Sequence, residues 1–347
     1  MPLKSSHLSV VVALILVGLG YRAAPAAAVP PGACSPSVVA VGYSDALDKR
    51  DAYGDRIGGL SALAHDPGGN RYLALPDHVR STALVWPLTG VDELPVARPR
   101  VAGPPIRLRG RDGLPLPGRA DDEGLAVLSD GSLAVSSENG PRVTVFGGNG
   151  QWRQDVAIPA PFATAPTGGA VPNGSLEGLT ATPSGDRLIA AMEKPLLGDD
   201  QRTLRFLDYH RGRDGRFVFS RELLYRPGPG MRVADIAAYR DDRIVVLEAA
   251  FVPGRGNSAV LTTAVVGPAG GTVSPRRLHR RFLADLARCP TLGARSREPQ
   301  VDPLLDNYEG IAVVSAPGGY RIHLISDDNY SPRQTTRLLG LWAQLPD

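Results

Sequence analysis

The stretch that decides the fold is D-E-G-L-A-V-L-S-D-G-S-L-A-V-S-S-E at residues 122–138. It consists of an acid and a glycine, an apolar strand, an Asp-Gly turn, a second strand and a closing acid. A short glycine-containing turn between two strand-like runs indicates a β-hairpin. The pattern returns as L-E-G-L-T-A-T-P-S-G-D-R-L-I-A-A-M-E at 176–193, and as Y-E-G-I-A-V-V at 308–314 followed by S-D-D-N at 326–329.

Two weaker copies begin near Gly59 and near Asp235. With the position of Gly124 as an anchor, the pattern recurs at residues 59, 124, 178, 236 and 310, so successive anchors lie 54 to 74 residues apart. Hairpins repeated at this period are typical of a β-propeller, whose blades are four-stranded sheets. We therefore predict an all-β chain with a single propeller. The spacing favours six blades, with five as the alternative, because the last interval has room for a blade around residues 257–285.

Both ends of the chain carry strand-like segments, at residues 38–43 and 335–342. A propeller that places strands from both ends in one blade leaves no exposed sheet edge. We therefore expect the ring to be closed by N- and C-terminal strands. In an exported chain, Cys34 and Cys289 can form a disulfide between the start of the fold and its last third. The spacing of the two cysteines does not decide whether they pair.

The first 28 residues have the features of a secretory signal peptide. A basic start precedes an apolar run over residues 8–20 and an A-x-A site at residues 26–28. The run is shorter than the ~20 residues that a membrane-spanning helix needs. We expect a signal peptide at 1–28 and a propeller domain at 29–347. The protein would be secreted, or located in the periplasm or cell envelope, with no integral membrane segment after signal removal.

The charge argues against nucleic acid as a partner. The formal net charge is only +3, and residues 1–28 contribute Lys4 and Arg22 without any acid. A polyanion-binding protein is expected to carry a larger basic excess. We expect a small-molecule ligand and a monomer.

Acidic residues recur at the same two positions of the repeat. One set lies at the start of the first strand and the other lies just after the second strand, and both sets should meet at one face of the ring. The candidate metal ligands from these sets are Glu123, Glu138, Glu177, Glu193, Asp235, Glu248, Glu309 and Asp327, and Asp77 has the corresponding position in the first repeat.

Such a group of carboxylates requires compensation, because like charges at close range are costly. One explanation is Ca²⁺, which binds 6–8 oxygen ligands in proteins. The other is structural: each acid accepts hydrogen bonds from backbone N–H groups or pairs with an arginine. The residues alone leave both explanations open.

Most catalytic motifs are missing from the sequence, including G-x-S-x-G, H-E-x-x-H, the P-loop and C-x-x-C. His78 directly follows Asp77 at the expected acidic face. It is therefore the candidate for a catalytic base, although a surface or core histidine is the alternative.

These repeats resemble the secreted β-propeller family called esterase-like activity of phytase, or phytase-like. The similarity rests on E-G-L-A with a D-G turn and S-E-N-G-P at 123–141, on N-G-S-L-E-G-L-T with M-E-K-P-L at 173–196, and on E-G-I-A with D-D-N at 309–329. Ser137 departs from the family pattern, which usually has an acid at this position. The resemblance covers roughly residues 55–345.

The resemblance implies an ester or phosphoester hydrolase that depends on Ca²⁺. Glu123, Glu309 and His78 would then be the catalytic residues, and Arg119 and Arg333 would orient a phosphate. Two alternatives stay open. One is a non-catalytic propeller that binds a ligand or a cell-envelope partner, and the other is a lactonase or sugar-oxidising enzyme, because this fold hosts many chemistries.

Overall fold

The computed structural model describes residues 32–268 and 274–347. The expected signal peptide lies outside the described residues. The described chain forms five sheets, which are the blades of one propeller, together with one small hairpin; all strand pairs in the sheets are antiparallel except the short pair Leu223–Leu224 with Arg276–Arg277. The all-β prediction is confirmed.

The N-terminal strands and the first two blades follow in chain order. The chain starts with β1 (Ala33–Ser35) and β2 (Val38–Ser44), and then makes the hairpin β3 (Asp51–Ala52) and β4 (Asp55–Arg56). Blade 1 contains β5 (Leu60–Asp66), β6 (Arg71–Pro76) and β7 (Leu84–Thr89), with β8 (Arg100–Val101) and β9 (Ile106–Arg107) paired to β7. Blade 2 contains β10 (Asp122–Val127), β11 (Leu133–Ser137), β12 (Arg142–Phe146) and β13 (Trp152–Val156).

The remaining blades follow a 3₁₀ turn at Ala160–Phe162. Blade 3 contains β14 (Leu176–Ala181), β15 (Arg187–Met192), β16 (Leu204–Arg211) and β17 (Phe217–Tyr225). Blade 4 contains β18 (Arg232–Arg240), β19 (Arg243–Val252) and β20 (Gly256–Val265); β21 (Arg276–Arg277) then pairs with β17, and β22 (Arg281–Asp285) completes blade 4. After a 3₁₀ turn at Leu286–Arg288, blade 5 contains β23 (Tyr308–Ala316), β24 (Gly319–Ser326) and β25 (Leu338–Ala343).

The ring is closed within blade 5, as the sequence predicts. The N-terminal β2 pairs antiparallel with the C-terminal β25, and β1 adds to the outside of β2. Cys34 in β1 is disulfide-bonded to Cys289, with an S–S distance of 2.05 Å. Because Cys289 follows the end of blade 4, this bond links the closing blade to its neighbour.

The hydrophobic core consists of five clusters, one between each pair of adjacent blades. Successive residues of one strand face opposite neighbours, as the side-chain alternation of a strand requires. In β11, Leu133 and Val135 pack towards blade 1 whereas Ala134 packs towards blade 3. The strands are therefore buried on both faces, which explains why they are apolar along their length.

Glycines near the start of the inner strands allow neighbouring inner strands to approach closely. A Cβ atom added to Gly124 would lie 2.6 Å from the Cβ of Leu179, and one added to Gly310 would lie 2.6 Å from the backbone nitrogen of Leu63. No side chain larger than hydrogen fits there without movement. The recurring glycine of the sequence pattern thus permits a narrow ring.

The described residues hold five blades, the smaller of the two numbers that the sequence allows. The sixth blade favoured around residues 257–285 is not present there. That segment supplies β20 and β22, the two outer strands of blade 4. The last anchor interval is long because irregular chain follows, from Cys289 to Asn307.

Candidate functional site

The first set of acids lies on β-bulges of the inner strands. Asp122 pairs with Ser137 and Gly124 pairs with Ser136, so Glu123 is the extra residue. The pairing register of β23 shifts in the same way, which leaves Glu309 as the extra residue. In β14 the register also shifts, over a stretch that includes Glu177. A bulge re-aims the side chain of its extra residue. The three glutamates are therefore equivalent positions of blades 2, 3 and 5.

The second set is fixed by one hydrogen bond that four blades share. The backbone N–H of the acid after the second strand donates to the carbonyl oxygen of the residue just before the inner strand. The donor–acceptor pairs are Asp77 to Gly59 (2.8 Å), Glu138 to Asp121 (3.0 Å), Glu193 to Ser175 (2.8 Å) and Asp327 to Asn307 (2.9 Å). These four acids therefore occupy one structural position of the repeat.

Members of both sets from blades 1, 2, 3 and 5 meet at one end of the ring. We call this group the acidic mouth; it consists of Asp77, Asp121, Glu123, Glu138, Glu177, Glu193, Glu309 and Asp327. Ligand oxygens of Asp121, Glu123 and Glu138 lie within 4.8 Å of one another, and so do those of Glu138, Glu177 and Glu193. Glu138 belongs to both triads.

Burial and mutual repulsion disfavour the ionised forms of these acids and raise their pKa values. Burial is the main cause that raises the pKa of Glu123 well above its usual value, and the charges of Glu177 and Glu309 add to it. Burial, followed by the charge of Glu193, raises the pKa of Glu138 to about 7. The pKa of Asp327 is raised well above its usual value by burial and by Glu309. Positive charge would lower all three pKa values.

The strand pairing in blade 4 differs from the pairing that alignment of the repeats predicts. The pairing register of its first two strands is displaced by one residue. Val233 pairs with Glu248 and Asp235 pairs with Leu247. Asp235 therefore occupies the position of Gly124, and Glu248 occupies that of Ser137.

The displacement removes two of the candidate ligands from the mouth. Asp235 accepts hydrogen bonds from the backbone N–H groups of Leu179, Ile236 and Ile311. Glu248 is fully buried and pairs with Arg280, at 2.7 and 2.8 Å. For these two acids, the observed contacts correspond to the structural explanation.

The same displacement brings Arg232 into the mouth, at the position that Asp121 has in blade 2. Its Nη1 lies 2.6 Å from Oε1 of Glu177, its Nη2 lies 2.5 Å from Oε1 of Glu309, and its Nε lies 3.5 Å from Oε1 of Glu193. Sequence reasoning missed Arg232. The available signal was the absence of a glycine after Asp235, which shows that blade 4 cannot be aligned with the E-G pattern.

Glu123 and Glu138 differ from the acids that contact Arg232. Over residues 32–268 and 274–347, neither carboxylate has a hydrogen bond or an ion pair with another side chain. Glu138 is 5% exposed and its Oε1 has no partner there. A buried carboxylate oxygen without a partner is expensive. This part of the mouth therefore has a carboxylate oxygen that no described protein group satisfies.

His78 lies beside the mouth on an exposed segment. Its Nδ1 is 2.7 Å from Oδ2 of Asp77, and its ring packs against Tyr330, whose hydroxyl donates to the carbonyl oxygen of His78 at 2.7 Å. Asp77 therefore orients the imidazole. Arg119 precedes β10 and Arg333 precedes β25, and both are exposed at this end of the ring.

A family model covers most of the chain. The family described as esterase-like activity of phytase, phytase-like, matches residues 55–330. The chain belongs to the phytase-like family. This confirms the resemblance found in the sequence. None of the curated proteins matches the phytase-like chain.

Several solved structures are similar to this phytase-like chain in fold. A protein of unknown function from Dyadobacter fermentans has 13% identity and a TM-score of 0.45, covering 89% of this chain and 100% of its own. An α-L-arabinofuranosidase from Clostridium thermocellum has 12% identity and a TM-score of 0.43, covering 76% and 82%. A gluconolactonase from Xanthomonas campestris has 11% identity and a TM-score of 0.36, covering 88% and 89%.

Among the described residues, no helix is long and apolar enough to cross a membrane.

Proposed function

We propose that this phytase-like protein hydrolyses ester or phosphoester bonds with the help of a divalent cation, Ca²⁺ in the first instance, at the acidic mouth. The observation that carries the proposal is the pair Glu123 and Glu138, whose carboxylates have no partner among the described side chains.

The residues of the mouth fit Ca²⁺ by their chemistry. The ligand set of Asp121, Glu123 and Glu138 contains only oxygen, which Ca²⁺ prefers over nitrogen or sulfur. The unpartnered Oε1 of Glu138 is the group that a cation would satisfy. A bound Ca²⁺ would polarise the ester or phosphoryl oxygen and lower the pKa of a water molecule.

The side chains around this position would transfer protons and orient the substrate. Glu123, whose carboxylate has no partner among the described side chains, would accept a proton from the attacking water. His78, oriented by Asp77, is the candidate to exchange a proton with the leaving alcohol. Arg119 and Arg333 orient an anionic part of the substrate.

The contacts change the role that we propose for Glu309. Its carboxylate accepts hydrogen bonds from Arg232 and from Asn307 Nδ2, the latter at 3.1 Å. Glu309 is therefore satisfied by the protein. We assign it to holding Arg232 in place and not to proton transfer.

We also propose that the protein is exported. The signal-like segment at residues 1–28 supports this, and so does the Cys34–Cys289 bond, because disulfides persist in oxidising compartments.

The experiment is hydrolysis of p-nitrophenyl phosphate and p-nitrophenyl acetate by the EDTA-treated protein, with and without added Ca²⁺. We expect activity that returns with Ca²⁺ and falls by at least ~10²-fold in Glu123→Gln. The matched control is Glu93→Gln, an exposed glutamate on the loop after β7. Absence of activity in the wild type with Ca²⁺, or equal activity in Glu123→Gln, would contradict the proposal. Cation binding without hydrolysis would favour the non-catalytic ligand-binding propeller.

A further inference from the structure

Arg232 occupies a position inside the acidic mouth where no other blade has a basic residue. The register equivalents of Arg232 are Gly59, Asp121, Ser175 and Asn307. Burial of the mouth would normally disfavour a charged guanidinium. Here Glu309 and Glu177 outweigh burial, and the pKa of Arg232 is raised.

The guanidinium contacts two members of the Glu138, Glu177 and Glu193 triad. Glu177 Oε1 and Glu193 Oε1 are two of the contacts of Arg232, at 2.6 and 3.5 Å. Lys194 Nζ also lies 3.2 Å from Oε2 of Glu193. The triad Glu138, Glu177 and Glu193 is therefore already supplied with positive charge from the protein. In contrast, Asp121, Glu123 and Glu138 have no ion pair within the described part of the chain.

We propose that Arg232 acts as a built-in cation that confines the exchangeable divalent cation to the Asp121, Glu123 and Glu138 triad. The inference rests on the proposed use of a divalent cation. An arginine keeps its charge at every physiological pH and cannot dissociate. The wild-type mouth therefore binds one divalent cation, and loss of Arg232 opens a second position between Glu138, Glu177 and Glu193.

The test is the number of Ca²⁺ ions bound per chain, measured by equilibrium dialysis of the EDTA-treated full chain. We expect one ion for the wild type, two for Arg232→Gln and one for Arg232→Lys, which keeps the charge. Arg240→Gln is the matched control, because Arg240 is exposed and pairs with Asp347 away from the mouth. One ion in a folded Arg232→Gln protein, as judged by circular dichroism, would overturn the inference.

A second comparison does not depend on the folding of Arg232→Gln. In the wild-type background, Glu193→Gln is expected to keep one bound ion, whereas Asp121→Asn is expected to lose it. Loss of the ion in Glu193→Gln with retention in Asp121→Asn would place the cation on the Arg232 side and would overturn the inference. A wild type that binds no Ca²⁺ contradicts both this inference and the proposed cation, whereas an unchanged ion number in Arg232→Gln contradicts this inference alone.

Discussion

The carboxylate of Asp235 in blade 4 accepts a hydrogen bond from the backbone N–H of Ile311 in blade 5, at 3.0 Å. The same side chain accepts from Leu179 in blade 3, at 3.3 Å. Asp235 thus links three consecutive inner strands. It can do so because it occupies the glycine position of the repeat, where the inner strands are closest.

Replacement of Asp235 should destabilise the ring without affecting cation binding. Asp235→Ala leaves three buried N–H groups without acceptors, and each unsatisfied buried group costs about 1–3 kcal/mol. We expect a clear loss of unfolding free energy in urea, with the Ca²⁺ stoichiometry of the folded fraction unchanged. Asp242→Ala, at a half-exposed turn acid, is the control. Loss of Ca²⁺ binding by folded Asp235→Ala would mean that Asp235 is a ligand after all.

A buried cluster in blade 3 should be equally sensitive. Asp208 lies between Arg187 and Arg221, at 2.6 and 2.8 Å, and all three side chains are nearly inaccessible to solvent. Asp208→Asn leaves two buried guanidinium groups without a counter-charge. Breaking a buried ion pair in this way costs about 3–5 kcal/mol. Urea denaturation should show this loss, and a stability within ~1 kcal/mol of the wild type would refute the prediction.

The interface between blades 5 and 1 should show a pH-dependent contribution from Asp92. Its carboxylate is 3.0 Å from His323 Nε2 and accepts a hydrogen bond from Tyr72 at 2.8 Å. The hydrogen bond with His323 is the main cause that lowers the pKa of Asp92 below its usual value. A lowered folded-state pKa stabilises the protein above the unfolded pKa near 4, and the stabilisation is lost as the pH falls below it.

Asp92→Asn should therefore lower the melting temperature at pH 7. The difference from the wild type should shrink below pH 4. Melting curves of both proteins between pH 3 and pH 8 measure this, and a difference that grows towards low pH would show that the sign is wrong.

The disulfide should stabilise the closing blade. Cys34 and Cys289 are 255 residues apart in sequence, and a cross-link over a long loop restricts the unfolded chain strongly. The double variant Cys34→Ser and Cys289→Ser should lose about 2–5 kcal/mol of unfolding free energy. The wild type in excess reductant should behave like the double variant, and equal stability of the oxidised and reduced wild type would contradict the prediction.

The fold could be predicted from sequence because its main determinants are local and repeated. The hairpin at residues 122–138 combines a bulge acid, a glycine that permits close strand approach, and an Asp-Gly turn, and each has a physical reason to recur. The number of blades could not be predicted in the same way. An irregular loop lengthens the interval between two anchor residues just as an additional blade would. The chain from Cys289 to Asn307 is such a loop.

The mouth could be predicted only in part, because a register displacement of one residue reverses which side a strand residue faces. Glu123 and Glu138 follow the repeat and lie where the sequence predicts. Asp235 and Glu248 were aligned one position away from their structural equivalents. Arg232 was missed for the same reason, although it contacts three of the eight acids of the mouth.

Cation binding at the acidic mouth is measured by calorimetric titration of the EDTA-treated protein with Ca²⁺. We expect binding to the wild type, at least ~10²-fold weaker binding to Glu138→Gln because Glu138 is a ligand in the Asp121, Glu123 and Glu138 triad, and unchanged binding to Glu93→Gln. Absence of heat and of any thermal stabilisation in the wild type at millimolar Ca²⁺, or equal affinity in Glu138→Gln, would contradict this expectation.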